Sequence, residues 1–151
     1  MHDSGARVLD LVAWRALGVT RSLLGHRIFQ IDSDPGDSRV LPVLVLVHGF
    51  PTASWDFAKL WPALTRDFRV IAADMLGFGF SAKPSDHRYS IFEQADLFEA
   101  LVTERGIERY HVLAHDYGDI LPDKIWRLAS VEIPRLILAL ESLGKTEPPR
   151  E

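Results

Sequence analysis

Three short stretches hold residue types whose spacing could do chemistry. The first is Ala114-His115-Asp116-Tyr117-Gly118-Asp119, where an acidic residue stands between an alanine two positions before it and a glycine two positions after. Between a strand and a helix, such small residues let the chain turn sharply and hold the middle side chain out into a cleft. An aspartate there is already ionised at neutral pH, its ordinary pKa being about 3.9. It would attack carbon without help from a base and form a covalent ester that water must then cleave. The same residue reads equally as a helix cap or an Asx turn.

The second stretch is His48-Gly49-Phe50-Pro51, which ends an apolar run. A strand closing in His-Gly leaves backbone N–H groups at the sheet edge. That of Phe50, together with that of Tyr117, would make an oxyanion hole; the plain alternative is a strand-terminating turn. The third stretch, Asp74 to Ser81, contains Gly77 and Gly79 and is followed by Ala82, matching G-x-G-x-x-A. Lys83-Pro84-Ser85 comes next, with no helix opening at the glycines, and a pyrophosphate needs that helix N-terminus. A tight structural loop is the better reading.

The six histidines are His2, His26, His48, His87, His111 and His115. None follows Asp116, and no pair has metal-ligand spacing with other ligands, so neither a metal nor a cofactor is expected. His111 reads as a hydrogen-bonded strand residue, and Trp55, Phe57, Trp61 and Phe98 as core.

These stretches need elements to hold them. The pattern predicts a helix from Leu9 to Val19 with Gly18 near its end, then a half-buried strand at His26–Asp32. A turn at Asp34–Asp37 precedes a strand at Val43–Val47, apolar throughout and so covered on both faces. A helical stretch from Ser54 to Leu64, broken or kinked at Pro62, leads to a strand at Phe68–Ala73. Ser90-Ile91-Phe92-Glu93 has capping-box spacing and starts a helix with Ile91, Ala95, Phe98 and Val102 on one stripe, closed by Gly106. A strand at Tyr110–Ala114, a helix from about Leu121 to Val131 and a strand at Arg135–Leu140 complete the series. Strands alternating with helices mean an α/β fold with a mostly parallel sheet and helices on both faces. Ligands then sit at the carboxyl ends of the strands, where all three stretches lie.

The bulk numbers agree with one domain: 151 residues, 47% hydrophobic and 25% charged. Residues 1–25 read as an N-terminal helical segment and 26–151 as the core. A net charge of −4 offers no basic field for nucleic acid. There is no run of eighteen apolar residues for a membrane span. The absence of cysteine and of a signal-peptide pattern fits a cytoplasmic location.

Taken together, "LVLVHGFPTASWDF", "RVIAADMLGFGFSAKP" and "YHVLAHDYGD" resemble the N-terminal half of an α/β-hydrolase. Within that fold the likeness is to the epoxide hydrolase, haloalkane dehalogenase and mesoderm-specific-transcript group. It runs from about His26 to Asp119 and fades through Ile120 to Glu151. The resemblance implies that Asp116 is the nucleophile and that Phe50 and Tyr117 form the oxyanion hole. His48 and Gly49 would shape that hole, with Pro51 following a cis peptide. Haloalkane dehalogenases place Asn after His-Gly and Trp after the nucleophile to grip halide. Phe50 and Tyr117 stand there instead, which argues against dehalogenation and leaves epoxide-type hydrolysis through an aspartyl ester as the expected reaction, although epoxide hydrolases also usually place Trp after the nucleophile. Phe50 matches the epoxide hydrolase pattern, and "HDYGD" matches the mesoderm-specific-transcript pattern best.

In this fold the order is nucleophile, acid, histidine. Glu141 is the candidate acid, though it reads equally as a polar residue ending a strand. The histidine and the lid, with its ring-opening tyrosines, would come after Glu151. The expectation is therefore a partial α/β-hydrolase core, lid and C-terminal strands missing, with negligible turnover by itself. Full-length relatives would take a small-molecule epoxide or ester. The competing expectation is a non-catalytic pseudoenzyme or interaction module on the half-sheet. A sheet edge left open at Leu136–Leu140 would invite self-association.

Overall fold

The computed structural model describes residues 9–34, 36 and 40–115. Helix α1 (Leu11–Leu17) leads into strands β1 (Val19–Leu23), β2 (His26–Asp32) and β3 (Val43–Val47). A 3-10 helix (Ser54–Lys59), α2 (Trp61–Asp67), β4 (Arg69–Ala73), α3 (Ile91–Thr103) and β5 (His111–Ala114) follow. The strands form one sheet in the order β1-β2-β4-β3-β5. β3 runs parallel to β4 and to β5, while β1 and β2 are antiparallel to their neighbours. The α/β class holds, and the sheet is mixed.

The antiparallel part comes from an unforeseen hairpin. Its two-residue turn is Leu24-Gly25, with φ of 48° and 81°. Tight hairpins need positive φ at both central positions, and Asn-Gly or Asp-Gly is the usual signal. Leucine gives no such signal, so Val19–Leu23 passed for helix end and linker. The boundary drawn between residues 25 and 26 falls at this turn, and β1 shares one sheet with β2, β3, β4 and β5.

Consecutive strand residues point to opposite faces, and Ile28 and Phe29 are both buried. Ile28 joins Leu23, Ile71, Ala73, Leu76, Leu97 and Leu101 in a cluster that packs α3 against the sheet. Phe29 meets Phe80 edge to face at 5.1 Å on the other side. Trp14, fully buried on α1, meets Trp61 at 5.0 Å. Each fully buried leucine contributes roughly 1.5–3 kcal/mol.

Three local expectations shift. Pro62 does not kink a helix; it lies in the first turn of α2, after a separate 3-10 segment. Proline is suited to that turn because the N–H it lacks has no partner there. The buried side of α3 is Gln94, Leu97, Leu101 and Val102, while Ile91 is exposed. That is mostly a one-residue offset from the expected stripe, a rotation of about 100°. Strand β5 has a mostly apolar sequence, yet Val112 is 58% exposed. Among the described strands, β5 lies at the end of the order and pairs with β3 alone.

No helix among the described residues is long and apolar enough to cross a membrane. The helix expected at Leu121–Val131 and the strand and edge at Arg135–Leu140 lie outside the described residues.

Candidate active site

β3 ends at Val47, β4 at Ala73 and β5 at Ala114, all pointing the same way. The loops that leave them surround a cleft of about 390 Å³. Its described lining includes His48, Phe50, Met75, Phe78, Gln94 and His115, with no carboxylate, lysine or arginine among the described lining residues. The cleft is thus largely apolar, edged by backbone and a few neutral polar groups.

His48 is 1% exposed and spans two of the loops. Its Nε2 accepts the Met75 N–H at 2.9 Å, and its Nδ1 lies 3.0 Å from the Gly49 carbonyl. A backbone N–H can only donate, so the ring proton sits on Nδ1 and is given to Gly49. Both nitrogens are engaged, which makes His48 a brace between the β3 and β4 loops. Beyond it, Thr52 N–H bonds back to the Gly49 carbonyl at 3.2 Å and closes the turn. The Phe50–Pro51 peptide is cis, as expected. Among the described residues, nothing accepts the Phe50 N–H.

The least anticipated residue is Asp74, also 1% exposed. Its Oδ1 accepts Ser54 N–H at 2.8 Å and Ser54 Oγ–H at 2.6 Å, and its Oδ2 accepts Phe80 N–H at 2.6 Å. Its own N–H donates to Phe29, and its carbonyl accepts from Ser81 Oγ at 2.6 Å. Trp14 Nε1 donates to Ser54 Oγ at 3.2 Å and extends the network to α1. One carboxylate thereby ties the glycine loop to the start of the 3-10 helix. Gly79 has φ of 47°, and a Cβ there would sit 2.0 Å from Asp74 Oδ2. Only glycine allows the backbone to come this close. Gly77 likewise has φ of 94° and lies against the Tyr89 ring. Turns and bends occupy 76–81 and no helix opens before α3, so the glycine stretch is the tight structural loop expected.

Gln94 supplies a second tie. Its amide accepts the Leu76 N–H and donates to the Leu76 carbonyl, both at 3.0 Å. The side chain pairs with buried backbone as a neighbouring strand would. A signal for it exists in the sequence: Gln94, Leu97 and Leu101 share one helix face at i, i+3, i+7, and a polar residue on an apolar stripe needs a buried partner. Asp74 has a weaker signal, a carboxylate directly after a buried strand and before two glycines.

Before the first stretch, β5 is in register with β3, Val47 opposite Ala114. His115 N–H donates to the Val47 carbonyl at 3.3 Å. The His115 ring packs on Phe57 at 5.0 Å, and its Nε2 lies 3.3 Å from Asp56 Oδ2. Asp56 in turn accepts from Thr52 Oγ1. Asp116, Tyr117 and Glu141 lie outside the described residues.

No histidine spacing pointed to a metal, but the fold gathers His26, His87 and Glu93 with their ligand atoms within 4.8 Å of one another. They come from β2, the loop before α3 and the first turn of α3. Glu93 therefore does not fold back on Ser90 as a capping box; Ser90 Oγ accepts from Phe92 N–H while the Glu93 carboxylate faces the two imidazoles.

The description "alpha/beta hydrolase fold" matches residues 42–118. The mesoderm-specific transcript homolog protein of Homo sapiens is 48% identical over 118 residues, 76% of this chain and 35% of the relative. A fluoroacetate dehalogenase of a Burkholderia species is 35% identical over 116 residues, 69% of this chain and 38% of that protein. An epoxide hydrolase from Vigna radiata superposes with a TM-score of 0.57 at 25% identity, over 67% of this chain and 32% of that one. The chain thus spans about a third of the length of the curated relatives it matches.

Proposed function

The chain belongs to the alpha/beta hydrolase fold family, and from that premise we propose that it presents Asp116 as a carboxylate nucleophile toward a small epoxide. The supporting observation is the register of β5. With Ala114 level with Val47, Asp116 follows two residues beyond the same sheet edge from which Phe50 emerges three residues later. The uncommitted Phe50 N–H and the apolar cleft fit an uncharged, strained-ring substrate better than a charged one.

In the proposed reaction an Asp116 carboxylate oxygen attacks a ring carbon. The new C–O bond is the ester, and the broken C–O bond leaves an alkoxide that must take up a proton. In the resembling enzymes that proton comes from lid tyrosines. Water then adds to the ester carbonyl, and the oxyanion that develops there is held by the N–H groups of Phe50 and Tyr117. That water needs a general base. His48 does not serve, because both of its nitrogens are bonded. No histidine follows Asp116 within these 151 residues. Glu141 would orient such a base and has no other part in the scheme. The 151-residue chain assayed alone is expected to stop at the ester.

Incubation with a terminal aryl epoxide tests this by intact mass. The expected result is one adduct per chain, mapping to Asp116 and absent from Asp116→Asn. An adduct that persists in the variant, or none in the wild type, overturns it. The competing reading, a non-catalytic module that associates with its own copies, draws on the exposure of Val112. It predicts concentration-dependent dimers by size-exclusion chromatography and an unmodified Asp116.

A further inference from the structure

The second cluster of chemistry-bearing side chains lies outside the cleft. His26 opens β2, His87 sits in the loop that follows Pro84, and Glu93 is in the first turn of α3. Both imidazoles aim the same nitrogen at one carboxylate. His87 Nε2 is 2.8 Å from Glu93 Oε2, and His26 Nε2 is 3.3 Å from Oε1. The rings stand at 73° with centroids 5.2 Å apart. The side chains are 24%, 23% and 25% exposed for His26, His87 and Glu93, so the convergence point is reachable from solvent.

We propose that His26, His87 and Glu93 bind one divalent transition metal ion of the zinc class. Two imidazoles and a carboxylate form the donor set that suits zinc, cobalt(II) or nickel(II), whereas calcium and magnesium require mostly oxygen. Zinc–nitrogen and zinc–oxygen bonds of about 2.0–2.2 Å put tetrahedral ligand atoms roughly 3.3–3.5 Å apart. The ligand atoms, all within 4.8 Å, must close by at most about 1.5 Å to meet that. The segment carrying His87 has no helix or strand to resist the shift. On binding, the Nε2 protons that now face Glu93 leave, to solvent or to the Nδ1 of the same ring, and the ion takes their place. Water fills the fourth position.

The site has a structural consequence for the cleft. The Tyr89 ring packs on His87 at 5.0 Å and lines the cleft rim. A metal held by His87 would fasten that rim to β2 and α3 at once. A rim so fixed is expected to resist proteolysis.

The test is titration of the full chain with zinc chloride by calorimetry, with cobalt(II) absorption as a second readout. The expected result is one ion per chain at micromolar affinity, a tetrahedral cobalt spectrum, and no response to calcium or magnesium. His26→Gln, His87→Ala and Glu93→Gln should each weaken zinc binding at least tenfold, with far-UV circular dichroism showing that each is folded. His111→Ala, on β5 and not among the three, should bind as the parent does. Zinc should also slow tryptic cleavage after Arg88 in the parent and not in His87→Ala. The proposal is overturned if the folded parent takes up no zinc at 1 mM. It is equally overturned if the three variants bind as tightly as the parent, or if His111→Ala abolishes binding.

Discussion

Asp32 and Asp74 are carboxylates at opposite ends of β4, held by opposite kinds of partner. Asp32, at the end of β2, takes a two-pronged contact from Arg69 at 3.0 and 2.8 Å and a third bond from Arg105 at 3.0 Å. Arg105 also bonds the Gln30 side chain and the Leu101 carbonyl, so one charged knot joins β2, β4 and the end of α3. Asp74, at the other end, accepts only from backbone N–H groups and a serine hydroxyl. Planar guanidinium forks grip a carboxylate in fixed geometry, which suits a scaffold. Near the cleft such cations would impose a strong positive field. Neutral donors fix the loops and leave the field to the substrate and the nucleophile. The difference teaches that the arginine-held carboxylate lies away from the cleft and the one held by neutral donors lies beside it.

The largest expected effect falls on the neutral end. Asp74→Ala strands two buried donors, Ser54 N and Ser54 Oγ, and a part-buried one, Phe80 N. Each unmet donor costs about 1–3 kcal/mol, so a loss of about 4 kcal/mol in urea unfolding is expected. That is a large part of the stability of an ordinary domain. A loss below about 1 kcal/mol would show that water replaces the carboxylate and would break the contrast.

Gly79→Ala comes next. Its Cβ would meet Asp74 Oδ2 at 2.0 Å, from a backbone with φ of 47°. A destabilisation of about 2 kcal/mol is expected, from the αL penalty and the displaced carboxylate. Made on top of Asp74→Ala, the same change should cost clearly less, because the clash partner is gone. Equal costs in both backgrounds would mean that backbone strain alone is responsible.

The charged end should respond least, and chiefly to pH and salt. Burial by itself would raise the Asp32 carboxyl, but the hydrogen bonds from Arg69 and Arg105 outweigh it and hold it below its ordinary value of 3.8. A carboxyl lowered by folding stabilises the fold above its unfolded value, and that contribution is lost as the pH falls through the folded value. Asp32→Asn should therefore cost about 1–2 kcal/mol at pH 7. Its stability should converge with that of the parent as the pH drops below 3.8, and moderate salt should narrow the gap at pH 7. Curves that stay parallel through that window would remove the ion pairs from the account.

Much of the fold was legible in local pattern. The strands His26–Asp32 and Val43–Val47 stand where their alternation and apolar runs put them. The helix at Ser90 starts at its cap. The hairpin at Leu24-Gly25 was hidden because a leucine occupies a position that asparagine usually announces. The stripe on α3 was misread because Gln94 is polar, although it faces inward to serve Leu76. At the cleft, Phe50 lies in the loop three residues after β3. His48 proved to be a brace, and Asp74 and Gln94 were recognised only through their partners.

The sequence by itself determined most of the element types, the loops that follow β3 and β4 and the family whose motifs they carry. Each of these depends on residues within a few positions of one another, where backbone propensity and side-chain period act directly. Tertiary structure alone decided which polar groups meet: Asp74 with Ser54 across 20 positions, Arg105 with Asp32 across 73, and His26 with His87 and Glu93. A buried donor or carboxylate must find a partner, but which partner depends on how the strands order and how α3 packs on them. That choice is collective, made by burying the apolar faces together, and no short stretch of the sequence contains it.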